Sequence, residues 1–139
     1  MLNAVPKYNS TFQVFTYPPN SNFDENDWDY FGQVIIRTYA KGPFTKKSKK
    51  VVRILIKDRK NGILLDERYK LVFAYFDVDV EWNNFNELNL IVLEVPSIDR
   101  GPDGNYIEPK KEILSLEYKY NSTRGKFELV KEKISAEIF

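Results

Sequence analysis

A chain of 139 residues, 42% hydrophobic and 15% aromatic, has the material for one self-sufficient core. It contains no His and no Cys, which excludes His-based acid–base chemistry, thiolate nucleophiles and disulfides and removes the usual zinc ligands. The formal charge of +1 hides a local asymmetry: Lys41 to Lys60 hold nine Lys and Arg against one acid, whereas Asp24 to Asp29 hold four acids and no base.

Thr11 to Tyr17 alternates Phe12, Val14 and Thr16 against Thr11, Gln13, Phe15 and Tyr17. It reads as a first strand that Pro18-Pro19 ends, because neither proline can donate to a ladder. Ser21 to Phe31 reads as a loop or a single helical turn with Gly32 near its stop. Gln33 to Tyr39 is a second strand with Val34 and Ile36 on one face, and Gly42-Pro43 with Lys46 to Lys50 forms a basic loop. Val51 to Arg59 and Ile63 to Leu71 flank Asn61-Gly62, the favoured pair of a two-residue type I′ turn. That turn sets Lys57 opposite Asp66, Ile54 opposite Tyr69 and Val52 opposite Leu71. It also sets Ile56 opposite Glu67, a poor match that keeps a bulged variant open.

Leu71 to Trp82 reads as continuous extended chain, with Phe76, Val78, Val80 and Trp82 on one face and Asp77, Asp79 and Glu81 on the other. After Asn83-Asn84, Leu88 to Val95 returns with both faces apolar, the pattern of a strand covered on both sides. Pro96 to Asn105 is the longest irregular connection. Ile113–Tyr120 and Lys126–Ile134 close as a hairpin through Asn121 to Gly125, aligning Leu114, Leu116, Tyr118 and Tyr120. The tail suits a strand or a helix, and residues 1–10 and 135–139 read as loose ends. About eight strands at this spacing predict one mainly β domain over residues 1–139. The expected architecture is an antiparallel β-sandwich or a partly open β-barrel with little helix.

Three constellations are candidates for function. Asp24, Glu25, Asp27, Trp28, Asp29 and Tyr30 make an acidic loop with embedded aromatics, the composition of a protein-binding hot spot. An EF-hand beginning at Asp24 fails, because Asp29 stands where glycine is required. Asp77, Asp79 and Glu81 lie ~6.6–6.8 Å apart along one strand face, where two neighbours could share a hard cation and where a solvated face is the plainer reading. Lys46, Lys47, Lys49 and Lys50, extended by Arg53, Lys57, Arg59 and Lys60, could grip phosphates, with Tyr39 and Phe44 for stacking. Lysines beside an edge strand equally prevent sheet-to-sheet aggregation.

No serine lies in a Gly-x-Ser-x-Gly elbow. The expectation is therefore a non-catalytic binding module whose partner is another protein, of the inhibitor, immunity or adaptor kind, from a bacterium or phage. The alternatives are a ligand- or cation-binding domain using the Asp77/Asp79/Glu81 face, and nucleic-acid binding through residues 46–60, which solubility argues against. No cofactor is expected, and a homo-oligomer stays open. No run approaches the ~20 apolar residues of a membrane span. As written the chain reads as cytoplasmic, or as periplasmic or extracellular if an export signal has been removed.

Overall fold

Alternating apolar and polar side chains are both satisfied when the backbone is extended and one face meets a second sheet. The computed structural model describes residues 10–18, 29–39, 46–84, 86–95 and 110–139. Within them lie β1 (Thr11–Thr16), β2 (Tyr30–Thr38), β3 (Ser48–Asp58), β4 (Ile63–Phe73), β5 (Phe76–Asn84), β6 (Glu87–Glu94), β7 (Lys111–Asn121), β8 (Lys126–Ile134) and β9 (Glu137–Ile138). They form two sheets, ordered β1-β2-β3-β4-β9 and β5-β6-β7-β8, with every pairing antiparallel. The sheets pack face to face as a β-sandwich, which decides between the two expected architectures.

Val34, Ile36, Val52, Ile54, Ile56, Leu71 and Phe73 of the first sheet meet Leu88, Leu90, Val92, Leu114, Leu116 and Tyr118 of the second, all buried. Two long edges are stitched by side chains. At the β1/β5 edge, Phe12 meets Phe76 edge-on at 5.3 Å and the Trp82 indole N–H donates to Thr16 Oγ1 at 3.0 Å. Gly32 makes room there: a Cβ on it would stand 2.9 Å from the Thr16 methyl and 3.5 Å from the Trp82 ring. At the β4/β8 edge, the Tyr69 and Tyr118 hydroxyls both donate to Glu67 Oε2, at 3.0 and 3.1 Å.

Four expectations are corrected. First, the β3–β4 connection is a three-residue loop, Arg59 to Asn61, and not a two-residue turn. The Asn61 N–H donates to Asp58 O, Asp58 N–H to Gly62 O, and Asn61 takes the left-handed conformation at φ 66°. The Asp58 carboxylate accepts from the Lys60 and Gly62 N–H groups at 2.9 and 2.7 Å, and a side chain on Gly62 would collide with it. With a bulge beside Ile56 and Lys57, Asp66 faces Leu55 and Glu67 faces Ile54. The slip from the expected register is two residues, so every side chain keeps its face.

Second, the stretch from Leu71 to Trp82 is not one strand. Odd-numbered residues face the core up to Phe73 and even-numbered ones from Phe76, a change of phase that an unbroken strand cannot make. The break at Ala74-Tyr75 carries the chain from one sheet to the other and lets the Phe73 and Phe76 rings meet edge-to-face at 5.6 Å. Third, β2 begins at Tyr30, inside the segment expected to be a loop. Fourth, β6 buries Leu88, Leu90 and Val92, while Ile91 and Leu93 on its other face are part-exposed. Among the described residues no helix is long and apolar enough to cross a membrane.

Candidate functional site

The same alternation that fills the core decides what the first sheet shows to solvent. On its outer face, register aligns Thr11, Arg37, Val51 and Lys70 in one cross-strand row, Gln13, Ile35, Arg53 and Arg68 in the next, and Phe15, Gln33, Leu55 and Asp66 in a third. Phe31, Lys57 and Ile63 follow in a fourth. Adding Lys49, the outer positions of β1 to β4 carry six cations and a single acid, Asp66. Ile35, Val51 and Leu55 are buried in the middle of this face.

Arg53 grips Asp66 with two parallel bonds, Nε to Oδ1 at 2.8 Å and Nη2 to Oδ2 at 2.7 Å, and Arg68 approaches the same carboxylate at 3.5 Å. That hydrogen bond from Arg53, strengthened by the positive charge of Arg53, Arg68 and Lys57, holds the Asp66 carboxyl below the usual carboxylate range. Burial opposes it. One carboxylate thus anchors two guanidinium groups and leaves the face strongly positive. Arg37, Arg53 and Arg68 surround a concavity of about 120 Å³ floored by Ile35 and Val51.

Aromatic rings stand at both ends of the cationic rows. At one end Phe15 and Tyr17 flank Phe31 at centroid distances of 6.2 and 6.4 Å, with Phe15 52% and Tyr17 41% exposed. At the other end Tyr39 packs on Phe139 at 5.8 Å, and the Lys49 ammonium lies 5.3 Å from the Phe139 ring. Rows on a strand face repeat every ~6.6–6.8 Å.

The structure distributes the sequence-predicted residues differently from expectation. Lys50 is the clearest correction: it is 0% exposed and faces the core beside Val52 and Ile54, because β3 already runs in strict alternation from Ser48. Its ammonium donates to the carbonyl of Phe73, to Lys46 O at 3.1 Å and to Ser48 Oγ at 3.0 Å, and lies 5.0 Å from the Phe73 ring. Burial pushes its pKa down to about 8, with Glu94 opposing. It cannot serve a phosphate. Lys46, Lys47 and Lys49 are exposed.

Asp77, Asp79 and Glu81 line the outer face of edge strand β5, and Asp77 pairs with Lys110. Among the described residues no group of three or more acidic side chains is placed to hold a metal ion. Asp24, Glu25, Asp27 and Trp28 lie outside the described residues. Tyr30, counted with that loop, is a core residue whose ring packs on Trp82 and Phe127 at 5.6 and 5.3 Å. Its buried hydroxyl has no hydrogen-bond partner among the described residues. Burial first, then Asp29 and Tyr120, pushes its pKa up to about 12. Asp29, Tyr30, Asp58, Leu64, Asn86 and Tyr120 line a cavity of about 530 Å³ at that end of the sandwich.

Arg37, Arg68 and Lys70 were missed as site residues because neither β2, with one cation, nor β4, with two, carries a basic cluster in sequence. Their common feature is parity: each sits on the face opposite the apolar stripe, and pairing then lays them side by side. No protein family, curated protein or solved structure matches this chain in comparison.

Proposed function

We propose that this chain is a non-catalytic binding module that holds an anionic partner against the outer face of the β1–β4 sheet. The carrying observation is the concavity ringed by Arg37, Arg53 and Arg68 on a face where β1 to β4 carry six cations and one acid, Glu137 of β9 adding a second acid at the edge. Charge of one sign concentrated on one face steers a partner of the opposite sign and fixes its orientation. A planar arginine fork binds carboxylate or phosphate through paired bonds better than a lysine does; the fork of Arg53 is engaged by Asp66, so Arg53 contributes its charge. The absence of His and Cys removes the commonest proton shuttle and thiolate nucleophile, which favours binding over chemistry.

The reading is tested on immobilised heparin. Wild type is expected to be retained at low salt, and the double variant Arg68→Gln/Lys70→Gln to elute at clearly lower salt with an unchanged melting temperature, because both side chains are exposed. Elution of the two at the same salt would sink the proposal. A protein with an acidic surface is the second reading of the same face. It is favoured by Ile63, exposed beside Lys57, since apolar groups bordered by cations are what a protein interface buries.

A further inference from the structure

We infer that the anionic partner of this face is a single-stranded nucleic acid, with its phosphates over the Arg37/Arg53/Arg68 concavity and a base stacked on Phe15. This rests on the docking reading above and names its ligand. Charge alone does not choose between a polyanionic strand and an acidic protein; the rings do. Phe15 projects its ring to solvent from β1, only one row step from the row of Arg53 and Arg68 and two strands across from Arg53. At strand spacings of ~4.8 Å and row spacings of ~6.7 Å, the two positions are about 12 Å apart. A nucleotide chain alternates phosphate and base, so it can present both groups to this face at once.

Gln13 and Gln33 lie beside the ring and the arginines; the Gln33 amide donates to the Gln13 carbonyl oxygen, and their remaining amide groups suit base edges. The rows from Lys49 to Lys57 extend the positive track over four steps, about 27 Å, with rings at each end. Successive bases on exposed rings along a cationic track is the arrangement that holds unpaired strands without sequence preference. A duplex fits poorly. Its bases are already stacked, and among the described residues this face carries no helix or protruding ribbon to enter a groove.

The test is fluorescence anisotropy of the whole chain with a labelled oligo-dT of 12 nucleotides, the matching oligo-dT·oligo-dA duplex, and polyglutamate of similar charge. The single strand is expected to bind tightest, with log affinity falling against log salt at a slope of about −2 to −3 for three or four neutralised phosphates. Phe15→Leu changes no charge. It is expected to weaken single-strand binding at least about five-fold, leaving polyglutamate binding and the melting curve unchanged. Polyglutamate binding as tightly as the single strand, or an unchanged single-strand affinity in Phe15→Leu, would overturn the nucleic-acid inference and leave the anionic-partner reading standing. Absence of binding to every one of these polyanions would overturn both.

Discussion

Lys50 makes the stability of this fold rise with pH in a range where most proteins are indifferent. Its ammonium is fully buried, and desolvation lowers its pKa from 10.5 to about 8. Between those values the folded chain has released a proton that the unfolded chain still binds, so stability grows by up to about 1.4 kcal/mol per pH unit. From pH 7 to pH 9 the gain is roughly 1 kcal/mol. The rise cannot continue. Burial raises the pKa of Tyr30 to about 12 and also raises those of Tyr69 and Tyr118. Above pH 10 the unfolded chain ionises these phenols while the folded chain keeps them neutral, and stability falls. A maximum near pH 10 is expected. Urea unfolding at constant ionic strength reads this directly: a gain of roughly 1 kcal/mol moves the midpoint up by about 0.5 M between pH 7 and pH 9. Lys50→Met, which has no proton to release, should show no rise over that range and the same fall above pH 10. A wild-type midpoint that stays level or drops between pH 7 and pH 9, or an equal rise in the Met variant, would refute the reasoning.

Gly32→Val should force β1 away from Trp82 and break the indole bond to Thr16, costing about 1–3 kcal/mol and lowering the melting temperature by about 3–10 °C in a thermal scan. Asp66 contributes stability that is present above the ordinary carboxylate pKa and is lost as pH falls through its depressed folded value. Asp66→Asn should therefore be less stable than wild type at pH 7 and should lose less than wild type on acidification below about pH 4, as followed by circular dichroism.

The two-residue beat made most strands legible, including the closing hairpin, whose aligned Leu114, Leu116 and Tyr118 are buried and whose Tyr120 packs beside them. The corner at Ala74-Tyr75 was not legible, because it contains none of the Gly, Pro, Asn or Asp that mark turns. Asn61-Gly62 announced a hairpin but not its loop length, since an αL residue followed by glycine suits both a two-residue turn and a three-residue loop with a bulge. Lys50 was hidden by composition: in a run of four nearby lysines its parity with Val52, Ile54 and Ile56 went unused. The cationic face illustrates the general limit. Parity places each arginine on a side of its strand, but only the pairing of β2 with β3 and β3 with β4 brings Arg37, Arg53 and Arg68 together.

Apart from β4 with β9, every hydrogen-bonded pairing joins strands that are nearest neighbours along the chain. Each half can therefore zip up hairpin by hairpin without waiting for a distant segment, which keeps the closure entropy of each step small. The first half assembled alone leaves Val34, Ile36, Val52 and Ile54 facing water until the second half lands on it. The two-residue strand β9, laid on Leu71 and Val72, pairs across more than sixty residues of chain and so closes late.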